Sequence, residues 1–136
     1  MLIVPNQYTP NRYQPILIHK QKVGGMKGAM CQRMGLRLEE LGWQGNELLD
    51  LYCRARTQII ACDEYFRKEP VIDVEGKVSP AARFYLNAIK VSISALEALR
   101  AIVAEMARED DRFGDAIEAL AQEGQKARNA KALVGG

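Results

Sequence analysis

The chain has 136 residues, 48% of them apolar and 26% charged, with a net charge of +2 and a single histidine. That length and balance describe one soluble globular domain with a modest core, and exclude a low-complexity or strongly polyionic chain. No apolar run approaches the ~20 residues that span a bilayer, and Pro5 interrupts the short apolar start "MLIV", so no secretory signal is expected there.

The charge is segregated. Residues 1–38 contain no acid and carry Arg12, Lys20, Lys22, Lys27, Arg33 and Arg37, a charge of +6. Residues 39–123 hold all 17 acids against 10 bases, and Lys126, Arg128 and Lys131 make the tail +3. Two basic ends flanking an acidic body suit contact with a polyanion, or simply solubility. The three cysteines, odd in number and irregularly spaced, do not form a disulfide framework, so a reducing compartment is expected.

Taken in chain order, residues 1–23 predict an extended basic arm. Pro5, Pro10 and Pro15 are each incompatible with a helix interior, and only "ILIH" (Ile16–His19) suits a brief strand. Met26, Met30, Met34, Leu38 and Leu41 predict a first helix over Met26–Leu41, weakened by Gly28 and Gly35. "GWQGN" (Gly42–Asn46) predicts a loop whose Asn46 caps the second helix. That helix runs from about Glu47 to Lys68. Leu48, Tyr52, Ala55, Ile59, Cys62 and Phe66 are spaced 4, 3, 4, 3, 4 and form one stripe, with Leu49, Cys53 and Ile60 on its flank. Pro70 ends it, and "VIDVEGKV" (Val71–Val78) predicts a small hairpin or connector.

Ser79 and Pro80 open a third helix that continues to about Arg108, on the order of 43 Å at ~1.5 Å per residue. It carries two apolar stripes. Ala82, Tyr85, Ile89, Ser92, Leu96, Leu99, Val103 and Met106 form one; Phe84, Ala88, Val91, Ala95, Ala98 and Ile102 form the other. The second helix covers one stripe. The first and fourth helices look too short and polar to cover the other, so copies of the chain are expected on Phe84, Ala88, Val91, Ala95, Ala98 and Ile102. A fourth helix restarts near Asp110 or Asp111, with Phe113, Ile117 and Leu120 as its apolar face. A mobile basic tail is expected from Gly124.

Chemistry is not prominent. Cys53 and Cys62 lie nine apart on diverging faces, Cys31 is far upstream, and His19 stands alone, so neither zinc spacing nor a nucleophile with its base emerges; the cysteines read as packing. "GGMKGAM" lacks the phosphate-loop spacing. Glu109, Asp110 and Asp111 suit a helix end and restart better than a cation site. A helix-turn-helix is disfavoured because Glu47 and Asp50 would face phosphate at the start of the second helix. The expectation is no enzyme, no cofactor and no metal.

"LEELG" (Leu38–Gly42), "L-x-x-YC-x-A" (Leu49–Ala55), "G-x-V-x-P" (Gly76–Pro80) and "A-E-M" closing a long Ala/Leu-rich helix (Ala104–Met106) occur in that order over residues 38–107. In this the chain resembles the small subunit of tailed-phage terminases, in the branch with a helical-hairpin core. The proline-rich arm and "REDDRFGDAIEAL" lie outside the pattern.

The resemblance implies an all-α, ring-forming, non-enzymatic DNA-packaging factor in the host cytoplasm. Such a subunit binds double-stranded DNA and recruits or regulates the large terminase ATPase-nuclease. The organisation expected is an arm over 1–23, a helical oligomerisation domain over 24–124 with its hairpin at 46–108, and a flexible tail over 125–136. Arg12, Lys20, Lys22, Lys27, Arg33 and Arg37 are the expected phosphate contacts, with Lys126, Arg128 and Lys131 second. The alternative is a helical adaptor whose basic ends dock an acidic protein.

Overall fold

The computed structural model describes residues 4–68 and 80–135, with side chains over 19–68, 80–129 and at Lys131. It contains four α-helices: α1 (Val4–Met34), α2 (Gly42–Phe66), α3 (Pro80–Glu109) and α4 (Gly114–Gly135). Short 3₁₀ turns at Leu38–Leu41 and Asp111–Phe113 join α1 to α2 and α3 to α4. No strand occurs among the described residues. "VIDVEGKV" and the Ser79 cap lie outside them.

The hairpin of α2 and α3 is the most extensive packing in the molecule, followed by α3 with α4; α1 packs on α2 and α4. Leu49, Tyr52, Cys53 and Ile59 from α2 are fully buried, as are Ile89, Leu99 and Val103 from α3. The first stripe of α3 is covered along its length, from Ala82 to Val103, with Met106 half-buried. Ser92 sits inside that stripe with its hydroxyl donating to the carbonyl of Ile89, 2.7 Å away, so burying it leaves no bare donor.

Four segments depart from expectation. The arm expected over residues 1–23 is helix from Val4 onward, joined to a segment whose Val23, Met30, Cys31 and Met34 are buried. Once that segment is fixed, extending it toward the N-terminus needs no new nucleation. Pro10 and Pro15 then sit in a helix interior at about 3 kcal/mol each. The first helix also ends at Met34, not Leu41. Gly35, at φ 69°, gives its N–H to Gln32, and Leu36 gives its N–H to Cys31. This is a glycine C-terminal stop in which Leu36 and Cys31 are both buried.

"GWQGN" is the first turn of α2 rather than a loop. Its two glycines have steric reasons. Gly42 stands at φ 74°, where a side chain is strained. A Cβ on Gly45 would lie 2.8 Å from the Cβ of Leu41. Asn46 does not cap α2; its amide donates to the carbonyls of Leu38 (2.8 Å) and Gly42 (3.2 Å). The tail expected to be mobile is the second half of α4. Ala127 is buried, Arg128 lies over Gly124, and Gln125 donates to Asn129, so the helix keeps partners past Gly124.

The two turns are tied together. Arg112 reaches Glu40 at 2.6 Å and Asp110 at 2.8 Å, and its guanidinium lies 4.5 Å above the Phe113 ring. Asp110 also accepts the backbone N–H of Arg112, so this acid acts as a turn cap.

These contacts separate the glycines by role. Gly45→Ala should cost about 1–3 kcal/mol, as overpacking does. Gly28→Ala, with open space around its Cβ, should gain about 1 kcal/mol. Urea midpoints of the two variants check this; a neutral Gly45→Ala would contradict the close turn at the start of α2.

Candidate nucleic-acid interface

The buried face of α4 is Ala116, Ala119, Leu120, Glu123 and Ala127, continued by Phe113 of the turn before it. Ile117, expected on it, is 38% exposed and lies to one side. One member of that face is a carboxylate. Glu123 is 4% exposed, and three groups from three helices converge on it. Arg33 of α1 donates to Oε2 at 2.7 Å, Lys126 of α4 donates to the same oxygen at 3.0 Å, and the hydroxyl of Tyr52 of α2 donates to Oε1. Arg33 also bonds Gln122 at 3.2 Å.

Burial alone would push the Glu123 carboxyl up. The hydrogen bonds from Arg33, Tyr52 and Lys126 outweigh it and bring the group down to about 2, against an ordinary 4.5. Burial and the neighbouring carboxylate raise the Tyr52 hydroxyl, which therefore stays protonated as a donor.

This hub changes the expected phosphate contacts. Arg33 and Lys126 serve Glu123 rather than standing free. Lys27 pairs with Asp50 at 3.4 Å, and Arg37 lies 3.7 Å from Glu40 while remaining 81% exposed. Lys20 and Lys22 are exposed on α1, and Arg128 and Lys131 on α4. The side chain of Arg12 lies outside the described residues. One cation was missed: Arg54 of α2, 62% exposed, with Nε 2.7 Å from Asp50. Its signal in sequence is its place four residues after Asp50, on the same helix face. Asp50, expected to repel phosphate, is covered by two cations.

The second stripe of α3 is less bare than expected. Ala88 and Ala95 are buried within the chain, Val91 and Ile102 are half-buried, and only Phe84 and Ala98 are exposed. Ala88 is covered by α2, in a cluster with Ile59 and Cys62, and Ala95 lies in the core that α4, at 22 residues long enough to run along α3, helps to build. Bare apolar surface concentrates instead at the tip of the hairpin. There Ile60, Tyr65 and Phe84, each more than 40% exposed, line an open trough of about 840 Å³ that His19, Lys22 and Met26 of α1 also border.

The cysteines are free and buried, and burial pushes the Cys53 thiol up to about 12, away from nucleophilic or ligating chemistry. Among the described residues no three of His, Cys, Asp and Glu gather as a metal-binding group, and no helix is long and apolar enough to cross a membrane. No family model, curated protein or solved structure matches the chain.

Because the Glu123 carboxyl is depressed in the folded state, its contribution is present above pH ~4.5 and lost as pH falls toward ~2; a shift of this size is worth about 3 kcal/mol. Wild type should lose that increment over this range and Glu123→Gln should not, in urea melts followed by circular dichroism. At pH 7, Glu123→Ala should cost about 3–5 kcal/mol, as removal of one partner from a buried pair does.

Proposed function

We propose that this chain is a non-enzymatic viral DNA-packaging factor of the terminase small-subunit type that its sequence resembles. It binds double-stranded DNA, assembles into a homo-oligomeric ring in the host cytoplasm, and recruits or regulates the large ATPase-nuclease subunit. The observation that supports this reading best is the adjacency of α1 and α4. The two basic ends, separated in sequence by an acidic body, lie on neighbouring helices.

Lys20 and Lys22 on α1 and Arg128 and Lys131 on α4 are exposed without a carboxylate partner among the described residues, and Arg37 is exposed in the turn after α1. Neutralised phosphates release counterions, so affinity depends steeply on salt. The ring reading draws support from the hairpin-tip trough, because exposed Ile60, Tyr65 and Phe84 form a patch that another copy can cover. The long α2–α3 hairpin supports the reading, because the resemblance implies a helical-hairpin core.

Electrophoretic retardation of duplex DNA tests the reading. Affinity should fall about 10³-fold between ~50 and ~200 mM salt if some six phosphates are contacted. Lys20→Glu with Lys22→Glu should weaken it further at either salt. Retention of an acidic protein with no DNA shift at ~50 mM salt would favour the adaptor alternative. Light scattering should give a closed oligomer that Phe84→Glu dissociates, and monodisperse monomer at high concentration would remove the ring.

A further inference from the structure

Between α1 and α2 lies a second opening, of about 630 Å³. Lys20, Gly24 and Lys27 reach it from α1, spaced 4 and 3 along one helix face. Asp50, Arg54 and Gln58 reach it from α2, spaced 4 and 4. Three cations thus face one carboxylate.

The carboxylate is engaged on both oxygens. Asp50 Oδ1 lies 3.4 Å from Lys27 Nζ, and Oδ2 lies 2.7 Å from Arg54 Nε. Asp50 therefore braces a cation from each helix. Because Arg54 is held through Nε, its two terminal nitrogens make no hydrogen bond among the described residues. Gly24 has nothing within 4 Å of where its Cβ would stand, so this wall of the cleft is open.

We propose that this cleft is the seat of a backbone phosphate of the bound DNA, an inference that rests on the DNA reading above. A phosphodiester carries one charge on two non-bridging oxygens. The planar fork of Arg54 matches that pair, whereas Lys20 and Lys27 supply point charges. Gln58 adds a neutral amide donor. Asp50 is a positioning residue: it touches no phosphate and sets where Lys27 and Arg54 stand. DNA seated here crosses the α1–α2 face, with Arg54 as a contact the basic ends do not contain.

The discriminating variant is Gly24→Leu, which fills the cleft and removes no charge. Gly28→Leu, one turn further along α1 and equally open, is its control. Duplex affinity should drop about tenfold or more in Gly24→Leu, the scale of a lost charge-assisted contact, and stay at wild-type level in Gly28→Leu. Arg54→Met should lower the slope of log affinity against log salt by about one. Asp50→Asn should weaken binding if Asp50 positions the cations; a gain would overturn that role.

Wild-type retardation that Gly24→Leu leaves unchanged overturns the cleft and leaves the DNA reading standing. If wild type binds no duplex even at ~50 mM salt, calorimetry with inorganic tripolyphosphate decides. Binding abolished by Gly24→Leu keeps the cleft as a phosphate seat and ends the DNA reading; no binding ends both. Poly-glutamate binding tighter than duplex and lost in Gly24→Leu would overturn the proposal in favour of an acidic protein segment.

Discussion

A carboxylate inside a small helical bundle must be paired or neutralised, because leaving a charge uncompensated away from water costs several kcal/mol. Glu123 meets that demand with Arg33, Tyr52 and Lys126, from three of the four helices. The apolar stripes of α2 and α3 tolerate small slips along one another. A fork of hydrogen bonds on two fixed oxygens does not. Glu123 therefore sets the register of α1 and α4 against the hairpin, and brings the two basic ends of the chain together.

That constraint divides the molecule. At the Glu123 end, four helices share one core, running from Val23 and Met30 through Leu49, Tyr52 and Leu99 to Phe113 and Leu120. At the hairpin tip a smaller cluster, Ile59, Cys62, Tyr85, Ala88 and Ile89, is built by α2 and α3 alone. Here Phe66 packs on Tyr85 at 5.4 Å, and the Tyr85 hydroxyl donates to Asp63. The four-helix end is the scaffold. The trough lies at the thinner end, and the cationic cleft opens beside the four-helix core at Val23.

Much of this was legible in sequence, and the misses share a cause. The α2 seam and the first α3 stripe follow from helical spacing, because one face of a helix repeats locally. The arm, the "GWQGN" turn and the tail depart from their local pattern because proline and glycine do not follow their intrinsic preferences there. Gly42 and Gly45 answer instead to a positive φ and to Leu41, and the tail is held by Ala127 in the shared core and by contacts within α4. The second α3 stripe is less exposed than its pattern suggests because α2 covers Ala88 at the hairpin tip and Ala95 sits in the core that α4 shares.

Glu123 itself was missed, although a sign of it is present. Phe113, Ala116, Leu120, Glu123 and Ala127 run at spacings of 3, 4, 3 and 4, so the acid falls on an otherwise apolar stripe. An acid there demands a partner. Its partners Tyr52 and Arg33, 71 and 90 residues away, are beyond any local pattern.

The most direct test of this account is a carbon-detected NMR titration of the Glu123 side-chain carboxyl in the folded protein. The account predicts a carboxylate that stays ionised until about pH 2. A midpoint near the ordinary 4.5 would mean that the carboxylate is not shared among Arg33, Tyr52 and Lys126, and the register of the bundle would need another cause.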